Sequence, residues 1–288
     1  MSDPAIAGLF PGQGSQTSDL RERVHATLPE LLERCTELVG EDPFARVSES
    51  TRFAQPAIFC ASLAGWNQLR TQVRPIAYAG HSLGELSALV AADALDPFTG
   101  LELAVLRGRL MAEAGDGEEG MLALLGAAEG YPEQLAEAHE IVLANDNAPG
   151  QVVLAGPTAR LREASTQARA DRVRAILLDV AGAFHTPAMA AAVEPFRAEL
   201  DSVELKAPAI PVISGARAKP FTDVRAELAA AIVQPVRWRQ TMRALAQLGV
   251  QRFVDFGPGN VLAKLVARNL PDASVLDLAD SREASGVA

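Results

Sequence analysis

A chain of 288 residues with 49% hydrophobic content can bury a sizeable core, and the lack of an uninterrupted apolar run of membrane-spanning length excludes a helical membrane span. The formal net charge of −10, from 26 basic and 36 acidic residues, argues against a nucleic-acid binder and obliges any acidic protein partner to dock on a local basic patch. Cys35 and Cys60 have no metal-ligand spacing and read as small buried hydrophobes; His25, His81, His139 and His185 form no chelating pair, so neither metal nor other cofactor is expected.

Met1 to Phe10 reads as a first strand rather than a signal peptide, having no basic region before its apolar stretch, and the expected location is cytoplasmic. The strand Ile6 to Phe10 ends at Pro11-Gly12-Gln13-Gly14-Ser15-Gln16, which can continue neither a strand nor a helix and so reads as a shaped loop. Helical patterns follow from Leu20 to Leu38 and from Gln55 to Leu69, with Pro56 placed as a first-turn residue. The apolar run Pro75 to Ala79 predicts a strand, and Glu85 to Val90 a helix; between them stands Gly80-His81-Ser82-Leu83-Gly84. A turn at Asp96 to Gly100 opens a further amphipathic helix, Leu101 to Ala114.

The polar, glycine-rich stretch Ala114 to Gly120 reads as a boundary. Beyond it the pattern is strand (121–125), helix (132–138), strand (141–145), strand (151–155), helix (158–169) and strand (173–178), the ferredoxin-like order. The expected organisation is therefore a small ferredoxin-like domain of residues 119–182 inserted into a larger α/β domain of residues 1–118 and 183–288. In the latter, Ile210 to Ser214 and Arg252 to Phe256 read as strands, and Gly257-Pro258-Gly259-Asn260 opens a helix from Val261 to Arg268. Val275 to Leu278 reads as a short edge strand and Ser281 to Ala288 as a frayed tail.

A G-x-S-x-G between strand and helix is the arrangement of a nucleophile elbow, with Ser82 on a sharp turn and helix N–H groups aimed at the site. The plain alternative is an ordinary glycine-rich turn. Ser82 needs a base, and His185 in Ala181 to Pro187 is the best candidate; the alternative is a helix-start histidine bonded to backbone. His81 adjoins the nucleophile and is given a packing or orienting role. An oxyanion would take the Leu83 N–H as one donor, and the Gly12-Gln13-Gly14 loop, on the same rim, could supply the second, unless it is a simple turn. Arg107, on an otherwise apolar face of its helix, would fit a substrate carboxylate in a bidentate way, although an isolated helix arginine is usually solvated or ion-paired.

Seven motifs occur in order: Phe10 to Gln16, Gly80 to Glu85, Arg107-Gly108, Asn147-Ala148-Pro149-Gly150-Gln151, Gly182 to His185, Gln234-Pro235-Val236-Arg237-Trp238 and Phe256 to Gly259. Together they resemble the malonyl-CoA:acyl carrier protein transacylase family of fatty-acid and polyketide synthesis, over nearly the whole chain. The resemblance implies an α/β-hydrolase-like large domain with a mostly parallel sheet, and transfer of a malonyl group from malonyl-CoA to the carrier protein's phosphopantetheine thiol. It implies Ser82 as nucleophile, His185 as general base and acid, Gln13 and Leu83 as oxyanion-hole backbone donors, and Arg107 as holder of the malonyl carboxylate. It also implies that a backbone carbonyl, here of Ala231 where glutamine is common, orients the histidine. Leu83 and Phe184 resemble the malonyl-selective pattern, and members are commonly monomeric. Arg217, Lys219, Arg237 and Arg239 are candidates for a carrier-docking patch, ordinary solvated charges being the alternative. The competing functions are a proofreading acyl-thioester hydrolase using the same dyad on the same scaffold, against which Arg107 weighs, and a non-catalytic docking subunit, against which an intact Ser82, His185 and Arg107 weigh together.

Overall fold

The computed structural model describes residues 4–115, 117–180 and 182–277. From the N-terminus, β1 (Ala5–Phe10) leads to α1 (Leu20–Thr27), α2 (Pro29–Val39) and α3 (Thr51–Leu69), then β2 (Pro75–Gly80), α4 (Gly84–Ala91) and α5 (Pro97–Ala114). Next come β3 (Glu119–Leu125), α6 (Tyr131–Ala138), β4 (Val142–Ala148), β5 (Gln151–Pro157), α7 (Thr158–Ala170) and β6 (Arg174–Leu177). The rest of the chain forms α8 (Ala190–Ser202), β7 (Val212–Ser214), β8 (Lys219–Pro220), α9 (Val224–Ala231), α10 (Trp238–Gln247), β9 (Val250–Asp255), α11 (Val261–Asn269) and β10 (Ser274–Asp277).

Six strands form one sheet in the order β10-β9-β1-β2-β7-β8, parallel except for the two-residue edge strand β8. The central β1 and β2 read Ala-Ile-Ala-Gly-Leu-Phe and Pro-Ile-Ala-Tyr-Ala-Gly, with no charge on either face, as a sheet covered on both sides requires. On one face Phe10, Tyr78 and Phe256 stack their rings 5.2–6.5 Å apart. On the other, Ala7, Leu9, Ala77 and Ala79 pack with Trp238, Met242 and Leu245 of α10 and Leu265 of α11. The carboxyl ends of β1, β2, β7 and β9 come out on one rim, where ligands collect in sheets of this kind.

The second sheet is antiparallel, ordered β4-β5-β3-β6, which is the ferredoxin-like strand order. Its edge strand β4 is strapped to the first sheet's chain. Val236 N–H donates to Ala144 O and Asp146 N–H to Val236 O, each at 2.8 Å. The Gln234 to Trp238 motif thus has a structural task.

Several element boundaries differ from the sequence expectation. The Leu20 to Leu38 pattern is two helices, because Leu28 leaves helical geometry (φ −141°) and Pro29 opens α2. α3 begins a turn earlier than expected: Ser50 accepts from Arg52 N–H as its cap, so Pro56 lies inside the helix, where it cannot donate to the Arg52 carbonyl. The turn at Asp96 is the first turn of α5, with the Asp96 carboxylate accepting from Phe98 and Thr99 N–H. α9 and α10 gave no distinct expectation. Asp116 in the expected boundary, Ala181 beside His185, Leu278 and the expected tail 281–288 lie outside the described residues. Among the described residues no helix is long and apolar enough to cross a membrane.

Candidate active site

The turn between β2 and α4 works only with glycine on both sides of Ser82. A Cβ at Gly80 would lie 2.0 Å from the Gly84 carbonyl carbon, and one at Gly84 would lie 2.0 Å from the Phe10 carbonyl oxygen. This close approach lets His81 N–H donate to Phe10 O at 2.9 Å, tying the turn to β1. Ser82 itself holds φ +54°, a left-handed conformation that costs a non-glycine residue free energy and raises its side chain clear of the sheet.

His185 meets it from a second strained turn, at φ +63°. Its Nε2 lies 2.8 Å from Ser82 Oγ, and its Nδ1 lies 2.9 Å from the Ala231 carbonyl. A carbonyl only accepts, so Nδ1 carries the proton and Nε2 offers its lone pair to the serine. Ala231 is the last residue of α9, where carbonyls lack an intrahelical partner and the helix dipole is negative. Burial pushes the His185 imidazole down to about 3, and the Arg107 charge adds to that, while the Ala231 carbonyl works the other way. The resting imidazole is neutral.

Arg107 is buried at 4% exposure. It sits on α5 directly before Gly108, at which a Cβ would be 2.9 Å from the Thr51 carbonyl; the glycine lets α5 close on the first turn of α3. Arg107 Nη1 donates to Gln55 Oε1 at 2.7 Å and Nη2 donates to Ser82 Oγ at 3.2 Å. Gln55 is held in turn by donating Nε2 to Thr51 Oγ1 at 2.9 Å. Burial brings the guanidinium down to about 10, with Glu85 opposing the shift, so it is still a cation at neutral pH.

These groups face a cavity of about 270 Å³ that is also lined by Gln13, Leu83, Phe184, Met111 and Met121. The Leu83 side chain is buried at 1% exposure, so what this residue offers a ligand is its backbone at the start of α4. Phe184 and the two methionines form the apolar part of the wall. Asn145 adds a buried Oδ1 without a hydrogen-bond partner. The arrangement supplies a serine hydroxyl, a base, a cation and apolar room for a short acyl group.

His81 is engaged elsewhere than His185: its Nε2 is 2.8 Å from Asn147 Oδ1 and its ring is 5.3 Å from that of Trp238. Burial lowers its basicity. Sequence reasoning missed Gln55; its only signal was a polar side chain at the start of the apolar run Pro56 to Ala61. It also gave no individual role to Asn147, although the motif around it stood out. The four candidate docking cations are not equivalent. Arg217, itself exposed, is paired with the buried Glu227, and the half-buried Arg239 with Asp146 and Glu129; Lys219 and Arg237 are also exposed. Arg217 and Arg239 are thus committed to internal carboxylates.

The acyl transferase domain family matches residues 29–283. The chain is 37% identical to the polyketide biosynthesis protein ThaF of Burkholderia thailandensis, over 98% of this chain but 26% of that protein's length. It is 35% identical to the polyketide biosynthesis malonyl CoA-acyl carrier protein transacylase PksC of Bacillus subtilis, over 94% of this chain and 99% of that protein. The crystal structure of malonyl-CoA:acyl carrier protein transacylase (FabD) from Xanthomonas oryzae pv. oryzae superposes with a TM-score of 0.90 at 32% identity, covering 99% of this chain and 98% of that one.

Proposed function

This chain belongs to the acyl transferase domain family, as one of the malonyl-CoA:acyl carrier protein transacylases, and on that premise we propose that it works by a two-step, ping-pong transfer through an ester on Ser82. In the first step Ser82 Oγ attacks the thioester carbonyl of malonyl-CoA while its proton passes to His185 Nε2. The oxyanion takes hydrogen bonds from the Gln13 and Leu83 backbone N–H groups. Collapse breaks the carbon–sulfur bond, and His185 returns its proton to the departing coenzyme A thiolate. In the second step the phosphopantetheine thiol of an acyl carrier protein gives its proton to His185 and attacks the ester. Ser82 leaves and is reprotonated by His185.

The single observation that carries this reading is the placement of Ser82 Oγ, 2.8 Å from a base and 3.2 Å from a buried guanidinium. The base accounts for acyl transfer, and the cation accounts for malonyl. A buried guanidinium facing an acyl group without a carboxylate is left without its partner, so acetyl-CoA is disfavoured. Asn145 Oδ1 is suited to accept from an amide N–H of the pantetheine arm, and the exposed Lys219 and Arg237 are suited to the acidic surface of a carrier protein.

The test is intact-protein mass spectrometry after brief exposure to malonyl-, methylmalonyl- and acetyl-CoA, followed by addition of phosphopantetheinylated carrier protein, with Ser82→Ala as control. A malonyl adduct that needs Ser82 and moves to the carrier is the expected result. An adduct that decays while the carrier stays unloaded would instead make the protein a hydrolase.

A further inference from the structure

The transfer scheme gives no task to His81 or to the Asn147 to Gln151 motif, and the structure joins the two. His81 stands on the elbow directly before Ser82, and its Nε2 donates to Asn147 Oδ1, 2.8 Å away on β4 of the antiparallel sheet. An amide oxygen only accepts, so Nε2 carries the proton in this bond. Trp238 backs the His81 ring at 5.3 Å between centroids, and Asn147 is 8% exposed.

β4 is irregular at this end. Its ladder to β5 shifts between Leu143 and Asn145 and again between Asp146 and Ala148, and such breaks re-aim side chains. The residues around Asn145 are each tied down. Ala144 O and Asp146 N–H bond to Val236 at 2.8 Å, and the Asp146 carboxylate accepts from Arg239 Nε of α10 at 2.9 Å. The Asn147 carbonyl accepts from Asn269 Nδ2 of α11, also at 2.9 Å. Asn145 stands among these anchors with its Oδ1 buried and unpartnered, and it lines the same cavity as His81 and Ser82. The His81 tie differs from the others in starting from the residue bonded to Ser82 itself, so it sets where Asn145 stands relative to the attacking oxygen.

We propose that His81 is a positioning residue for the arm of the thioester. By holding Asn147 it places the Asn145 amide oxygen to accept an N–H of the pantetheine chain while the thioester carbonyl sits at Ser82. The inference rests on the transferase reading and on the Asn145 contact within it. One turn of chain then carries the nucleophile and also sets the register of the arm on which the acyl group arrives. Malonyl-CoA and the carrier's phosphopantetheine bring the same amides, so one contact serves both steps.

The experiment measures the rate of Ser82 acylation by mass spectrometry at several concentrations of two donors. One is malonyl-CoA; the other is the S-ethyl thioester of malonic acid, which has the same reacting atoms and no amide. In His81→Ala the second-order rate with malonyl-CoA should fall about tenfold more than that with the ethyl thioester, the net strength of one hydrogen bond. The loss should lie in the half-saturating concentration rather than in the saturated rate, as for a contact made equally in the bound and transition states. His81→Gln, whose amide can still donate to Asn147, should recover most of it. Asn145→Ala should show the same discrimination between donors, and adding His81→Ala to it should cost little more, because both remove one contact. Equal losses with the two donors in His81→Ala, or losses that multiply in the double variant, overturn the proposal. Should His81→Ala not fold, Asn147→Ala breaks the same bond from the other side and is read by the same ratio. If Asn145→Ala loses both donors alike, the Asn145 contact fails and takes this inference with it while the transfer stands. If the wild type forms no malonyl adduct from either donor, the transferase reading itself falls.

Discussion

Ser82 Oγ and His185 Nε2 lie 2.8 Å apart although 103 residues separate them in sequence, and both residues stand at positive φ, +54° and +63°. Neither conformation is one an L-residue adopts without support. The Ser82 turn is held by β2, α4 and the Phe10 carbonyl. The His185 turn is held by Thr186, whose hydroxyl donates to the Ala183 carbonyl at 2.7 Å, and by the Ala231 carbonyl. Backbone strain at both ends of one hydrogen bond is the signature of a pre-organised pair.

Removing either member of this pair should separate adduct formation from folding. Ser82→Ala should give no acyl-enzyme at all. His185→Ala should slow acylation by about 10² to 10⁴-fold, the usual worth of a positioned base. Both variants should melt within a few degrees of the wild type, which thermal unfolding checks. Gly84→Ala should behave otherwise, since its Cβ collides with the Phe10 carbonyl. It should lose about 2 kcal/mol or more of stability along with its activity.

Arg107→Ala should cost malonyl transfer about 100-fold or more and acetyl transfer far less, because only malonyl has a carboxylate to lose its partner. Equal losses with the two thioesters would sink the carboxylate role. Steady-state rates with both substrates, taken on the same preparation, decide it.

Gln55→Ala should act in the same direction but more weakly. Gln55 touches Arg107 Nη1 at 2.7 Å and fixes the fork that leaves Nη2 on Ser82. Without it the guanidinium keeps its charge and loses its aim, a cost of about tenfold in malonyl kcat/KM for one hydrogen bond to a charged group. An unchanged malonyl kcat/KM would show that the amide only fills space.

Ala231→Gly should retain acylation within about threefold, because the interaction with His185 comes from the backbone carbonyl. The expected loss is in stability, at most about 1 kcal/mol, the cost of glycine in a helix interior, because Ala231 closes α9. A collapse of acylation in a folded variant would show that the Ala231 methyl, 6% exposed in the wild type, sets the carbonyl's position.

How far the sequence reveals these features depends on how local their causes are. The elbow around Ser82 is legible because its two glycines answer a clash with the next turn and with the adjoining strand. The small antiparallel sheet is legible because its four strands and two helices follow one another with no long connection between them. The start of α3 was not: Pro56 reads as a first-turn residue on propensity alone, while the Ser50 cap and the packing of α5 on Thr51 extend the helix backwards. Gln55 and Glu85 were opaque for a different reason. What makes each matter lies on another element, Arg107 for Gln55 and Gly215 for Glu85. The strap at Val236 likewise exists only once β4 is placed beside it.

The buried histidines and the buried Glu85 should oppose each other in the pH dependence of stability. His185 falls from an ordinary 6.5 to about 3 in the folded protein, so between those values the unfolded chain binds a proton that the native state refuses. Its contribution to stability is present above pH 6.5 and is lost as the pH drops toward 3. His81, also lowered, acts with the same sign. Glu85 rises from 4.5 to about 7, so between those values the native state holds a proton that the unfolded chain releases. Its contribution is present below pH 4.5 and is lost as the pH climbs through 7. Acidification from 6.5 to 4.5 therefore removes stability through the histidines and returns some through Glu85. Glu85→Gln keeps the first effect and abolishes the second, so its melting temperature should fall more steeply than that of the wild type over this interval. Thermal unfolding of both proteins in matched buffers measures the difference, and parallel curves would mean that Glu85 does not hold its proton in the folded state.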